Sequence, residues 1–167
     1  MSETASGTVT VTLPADNEIL ITRTLNAPRH LVYKAWTTPE LVRRWWSGRR
    51  GTMTVAEIDL RVGGSWRYAL VTDNGFEVAF HGTYREIVPN ERIVNSEVYE
   101  MPGEEEMPDS QAPLNIVTFE EVGGRTNLTL LVRTGSKELR DLIANSGMET
   151  GMREQFELLE ELASSLG

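Results

Sequence analysis

Two histidines, His30 and His81, and a complete lack of cysteine bound the chemistry open to this chain. Without thiols there is no disulfide scaffold, no thiolate metal site and no cysteine nucleophile. Neither histidine sits in an H-x-x-x-H pattern or beside a carboxylate at ligand spacing, so no metal and no cofactor is expected. No G-x-S-x-G and no phosphate-cradling glycine loop occurs, and Gly63-Gly64 and Gly123-Gly124 read as hairpin turns. The chemistry left over lies in charges within strand-like segments: Glu57, Asp59, Arg61 and Arg67, with Arg23 and Arg85 as similar ambiguities. A carboxylate enclosed by apolar groups has its pKa raised and can act as an acid or base. The same groups on a solvated face would only pair across strands. Alternation puts Glu57, Asp59 and Arg61 on one side, which favours pairing, and Glu57 is the candidate polar pocket group.

Contact chemistry is better supplied. Trp36, Trp46, Trp66, Tyr68, Phe80, Tyr84, Met148, Met152 and Phe156 fall on segments expected to face the interior. Each can be ordinary core; as a set they can wall a cavity, since apolar sites are lined this way and methionine adapts its shape to a ligand. Trp45 and Trp46 are consecutive on a helix and cannot both point inward, which places one of them at a cavity mouth.

The elements that would position these side chains follow from periodicity. Residues 1–17 read as a polar, flexible segment in which Thr8–Leu13 alternates as a short edge strand before Pro14 breaks it. Glu18–Leu25 is a strand. Asn26-Ala27-Pro28 and Thr37-Thr38-Pro39 each start a short helix, the second carrying Trp45 and Trp46. From Met53 to Arg133 the pattern is β: Met53–Val62 alternates, Asp73-Asn74-Gly75 marks a hairpin, and Phe76, Val78, Phe80, Gly82 and Tyr84 share a face. Met101–Pro113, with three prolines, reads as a long loop whose acidic run from Glu104 to Asp109 is either a lid over the cavity or, the preferred reading, simply solvated. Lys137–Leu166 is helical, with a break at Asn145-Ser146-Gly147 and Gly151 and an apolar stripe through Met148, Met152, Phe156, Leu159 and Ala163.

The phrases ITRTLNAPRHLVYKAWTTPELVRRWW (21–46), EIDLRVGGSWRY (57–68), GTYREIVPNERIV (82–94) and SGMETGMREQFELLEEL (146–162) occur in this order. They resemble the helix-grip superfamily (SRPBCC), which includes the START lipid-transfer domains and the birch pollen allergen. Within it they look like the family named after the C-terminal domain of the heat-shock protein 90 ATPase activator. The resemblance implies an α+β helix-grip fold, in which a curved antiparallel sheet and two short helices wrap a long C-terminal helix. It also implies a cavity between sheet and helix that takes a small hydrophobic molecule. Superfamily members bind lipids, sterols, polyketides or hormones, and some catalyse cyclisation or hydrolysis. The cochaperone role belongs to eukaryotic members with an additional N-terminal domain.

Composition agrees with a single globular domain over 18–167, with 40% hydrophobic and 25% charged residues. A net charge of −9 repels phosphate backbones and anionic lipid, so neither nucleic acid nor membrane insertion is expected. Met1–Gly7 lacks the basic start and apolar run of a signal peptide, which gives a cytoplasmic expectation. The reading at this point is a binding protein for an apolar or amphipathic ligand. The alternatives are a cyclase- or hydrolase-type enzyme using a pocket carboxylate such as Glu57, and a chaperone-interacting module. Homodimerisation through the N-terminal strand is left open.

Overall fold

A computed structural model of the protein describes residues 9–100 and 105–167. The chain order is β1 (Thr10–Ala15), β2 (Glu18–Leu25), α1 (Arg29–Thr37), α2 (Pro39–Val42), β3 (Gly51–Ile58), β4 (Ser65–Thr72), β5 (Glu77–Val88), β6 (Arg92–Ser96) and β7 (Val98–Glu100). A 3-10 turn (Asp109–Gln111), β8 (Leu114–Val122), β9 (Arg125–Arg133), α3 (Lys137–Ala144) and α4 (Met148–Ser165) complete it. The strands form one antiparallel sheet in the order β1-β2-β9-β8-β6-β5-β4-β3, with β7 also paired to β5. This is the α+β helix-grip arrangement: the sheet's concave face closes on α4 with α1 and α2 beside it.

Alternation along each strand decides which side chains meet the helix. Ile19, Ile21 and Leu25 on β2, Val117 and Phe119 on β8, and Leu128, Leu130 and Val132 on β9 share one core with Phe156, Leu159, Leu162 and Ala163 of α4. The same face continues through Ile93, Tyr84, Tyr68, Trp66 and Leu70. Burying this apolar surface is the main force holding the sheet to the helix, at about 25 cal/mol per Å².

At Gly82 the close approach of two strands needs a residue without a side chain. A Cβ there would lie 2.0 Å from the Ser96 carbonyl oxygen and 2.8 Å from Trp66 Nε1. The indole N–H of Trp66 passes over this point to donate to the Ser96 carbonyl at 3.1 Å. Here β5 changes partners. Residues up to His81 pair with β7, and those from Tyr84 pair with β6.

Several sequence expectations shift by local chemistry. Pro14 lies inside β1, which an edge strand tolerates despite the missing N–H, but the pairing with β2 is interrupted there, its register shifting between Thr12 and Ala15. Thr8 falls outside the described residues. The first helix starts at Arg29 with Pro28 as its cap, and the Asn26 N–H donates to Glu160 instead. The helix after Pro39 ends at Val42, so Trp45 and Trp46 lie in the turns that follow. β3 stops at Ile58, not Val62: the Asp59 N–H turns to the Ser65 carbonyl and Gly63 takes a positive φ of 86°. Leu60 and Val62 are therefore exposed. Phe76 precedes β5 at the hairpin tip and is exposed, away from the face of Phe80 and Tyr84.

The terminal helix breaks at Asn145–Gly147, with Gly147 at a φ of 87°, but runs unbroken through Gly151. Among the described residues no helix is long and apolar enough to cross a membrane.

Candidate functional site

The predicted contact residues fall into two aromatic groups. Trp36 packs on Trp45, Phe119 and Phe156 at centroid distances of 4.9, 5.8 and 6.4 Å. Trp45 is buried and donates its indole N–H to the Ala35 carbonyl at 3.0 Å. The second group is Trp46 on Tyr68 and Phe80, at 5.1 and 5.2 Å, with Trp66 on Tyr68 and Phe80 stacked on Tyr99. Of the tryptophan pair, Trp45 is thus in the core and Trp46 is half-buried. Gln155 of α4 donates to the Trp46 carbonyl, tying the loop after α2 to the helix. Met148 and Met152, half-buried, pack against the edge of the core, whereas Phe156 is sealed within it.

Glu57 lies elsewhere. It is exposed, and its register partner on β4 is Arg67, whose charge it reinforces on the convex side. The residue before it, Ala56, pairs with Tyr68 and takes the concave position, so alternation turns Glu57 away from the helix.

A different carboxylate does face the concavity. Ile93 and Asn95 of β6 point inward, in register with Val117 and Asn115 of β8, and the same alternation carries on through Glu97 to Tyr99. The Glu97 carboxylate accepts a hydrogen bond from Asn115 Nδ2 at 3.0 Å. Burial raises its carboxyl above the ordinary value, and the Asn115 amide only partly offsets this. Burial likewise raises the Tyr68 phenol well above its ordinary value, with the Tyr84 phenol and Glu97 adding to the effect. Tyr84 is also raised, chiefly by burial. Tyr68 and Tyr84 therefore enter as neutral phenols able to donate or accept. Beside them Tyr99 is 48% exposed and Phe80 half-buried, so this aromatic edge meets solvent.

The convex face carries ion pairs. Arg67 grips Glu100 with two hydrogen bonds of 2.9 and 3.0 Å, and His81 places Nδ1 2.7 Å from the same carboxylate. Together with Glu106, His81 and Glu100 offer three ligand atoms within 4.8 Å. Arg67 already neutralises Glu100, and Glu100 and Glu106 approach opposite nitrogens of the imidazole, so the group is built as a salt-bridge network. Next to it Asp109 binds Ser96 Oγ, Thr83 Oγ1 and Arg85 Nη2. Burial pushes its carboxyl up, but these hydrogen bonds and the Arg85 charge prevail and hold it below its ordinary value. The acidic run, for which a solvated loop is the preferred reading from sequence, is thus pinned at Asp109, while Glu105 and Glu106 are exposed and Glu104 falls outside the described residues.

On β2, Arg23 also faces the helix. Its side chain is 1% exposed and its Nη2 donates to Glu160 of α4 at 3.0 Å, while Nε and Nη1 are buried without a partner among the described residues. A surface notch of about 310 Å³ lies nearby between Asn26, Glu160, Glu161 and Ser164. Those four residues are polar, and β9 and β8 separate this end of the sheet from the strand of Glu97.

Comparison with known proteins places this geometry. The crystal structure of a Rhodobacter sphaeroides protein superposes with a TM-score of 0.84 at 24% identity, covering 96% of this chain and 100% of its own. One from Mycobacterium smegmatis gives 0.82 at 20%, with the same coverage. The solution structure of a Staphylococcus epidermidis protein gives 0.78 at 25%, covering 95% of each chain. Among functionally curated proteins none matches. The sequence profile described as "Activator of Hsp90 ATPase homolog 1-like protein" matches residues 26–164, and the chain belongs to that family.

Proposed function

We propose that the protein binds a small amphipathic molecule against the concave face, between β4–β7 and the first turns of α4. The observation that carries this reading is the pairing of an aromatic edge with a polar group on one face. Trp46, Phe80 and Tyr99 are partly exposed, and beside them Glu97, held by Asn115, points inward next to Tyr68. Apolar sites with a few convergent polar groups are the usual form of small-molecule sites. Met148 and Met152 supply an adaptable edge at the point where the helix restarts after Gly147. Such a ligand would be held mainly by burial, with Trp46, Trp66, Tyr68, Phe80 and Tyr84 as contacts.

Native mass spectrometry of freshly purified protein tests this. A lipid-sized adduct, lost in a Phe80→Ser variant that remains folded, supports the reading. A clean apo mass, with no concave-face resonance shifted by any amphiphile tried, sinks it. An acid–base enzyme is the second reading, and it now draws on Glu97 in place of Glu57: a half-buried, inward-facing carboxyl with a raised pKa is the kind of group such chemistry needs.

A further inference from the structure

Resting on that binding reading, the arrangement around Glu97 also specifies the ligand's head group. We infer that the site takes a hydrogen-bond-donating head, a hydroxyl or an amine on an apolar body, and rejects a carboxylate head. Glu97 is a charged side chain at this end of the concave face, held by Asn115, and an ionised carboxylate offers only acceptors. The Asn115 amide occupies one of its oxygens at 3.0 Å, which fixes the orientation of the carboxyl group.

A donor head completes this group: a hydroxyl supplies one O–H, an ammonium supplies N–H groups and a compensating charge. A carboxylate head would set two like charges together in a poorly solvated place, unless one of them took up a proton. The neighbouring Tyr68 and Tyr84 phenols are neutral and cannot supply the missing positive charge. Two cations near the helix are already paired: Arg23, on β2 beyond β8 and β9, with Glu160, and Arg50, beside Gly151 in the first turns of α4, with Glu154. The chain's charge of −9 works in the same direction.

The experiment is a titration of the isotope-labelled full chain at pH 8 with 1-octanol, octylamine and octanoate, which share one apolar body. It is followed through the Asn115 side-chain amide and the tryptophan indole resonances. The expected result is that octanol and octylamine bind about tenfold or more tightly than octanoate. Glu97→Gln, which keeps the shape and removes the charge, should bring the three affinities together by restoring octanoate. If the three probes bind wild-type protein equally, or octanoate binds best, the inference falls while ligand binding stands. A preference that persists unchanged in Glu97→Gln overturns it as well. If none of the probes shifts a concave-face resonance, the binding reading itself fails, and the inference with it.

Discussion

Replacing Glu160 with glutamine removes the carboxylate that faces a guanidinium only 1% exposed. The contact is short: Arg23 Nη2 donates to Glu160 Oε1 at 3.0 Å, and the second carboxylate oxygen accepts the Asn26 N–H at 2.7 Å. At that separation, with an effective dielectric of about 20, the gross attraction is about 5 kcal/mol. Removing one partner of a buried pair typically costs about 3–5 kcal/mol, because the other charge is left uncompensated. For a chain of this size that lowers Tm by about 6–20 °C, taking 2–4 °C per kcal/mol. The converse variant separates charge burial from packing. Arg23→Met keeps an apolar body beside Leu128 and removes Nε and Nη1, which are buried without partners among the described residues. Unpartnered buried donors cost about 1–3 kcal/mol, and their loss offsets the lost ion pair. Arg23→Met should therefore be near neutral, and the double variant should be far more stable than Glu160→Gln alone. Urea unfolding with an unchanged m-value measures all three. A cost below about 1 kcal/mol for Glu160→Gln would refute the argument, as would Arg23→Met proving equally damaging.

Three further outcomes follow from the geometry. Gly82→Ala drives a Cβ into the Ser96 backbone at 2.0 Å and displaces the Trp66 indole, so a loss of about 3 kcal/mol or more is expected in chemical denaturation. Asp109→Asn should speed proteolysis in the 105–108 segment. The stabilisation it removes is present above aspartate's ordinary value of 3.8 and fades as pH falls through the depressed one, which thermal melts at pH 7 and pH 2 would show. Glu97 has the opposite sign. Its raised carboxyl makes the folded state less stable as pH rises through that raised value, so Glu97→Gln should melt higher than wild type at pH 8. The difference should vanish below glutamate's ordinary value of 4.5, and a Glu97→Gln variant that melts lower at pH 8 would contradict the burial argument.

The fold could be read from the sequence because its determinants are local. The alternation of Glu18–Leu25, the Asp73-Asn74-Gly75 hairpin and the stripe through Phe156, Leu159 and Ala163 each reflect a side chain's relation to one buried face. Where sequence reasoning slipped, a non-local contact had intervened. Nothing within Met53–Val62 reveals that Asp59 will donate its N–H to Ser65 and end the strand four residues early. Nor does Asn26 show that Glu160, far along the chain, will take its N–H and delay the first helix. Asp109 is a similar case: its partners Ser96, Thr83 and Arg85 lie on two other strands, so composition alone presents it as one more solvated acid.

The candidate site was harder to read for a related reason. Its aromatic wall is made of residues whose burial signals are strong singly, whereas its polar group depends on register. In Arg92–Glu100 the alternation Ile93, Asn95, Glu97, Tyr99 was present in the sequence, but two polar residues in that row mask the apolar face they belong to. Only the pairing of Asn95 with both Tyr84 and Asn115 shows that the row turns inward. Glu57 offered the opposite illusion, a carboxylate in a clean alternating strand, and clean alternation is what sends a charge outward. A carboxylate inside a concave sheet face is therefore better sought where alternation continues through a polar stretch toward an aromatic, as it does from Asn95 through Glu97 to Tyr99. In such a row the inward polar groups must find partners, and Asn115 supplies one for Glu97 at 3.0 Å while leaving the remaining acceptor capacity for a ligand.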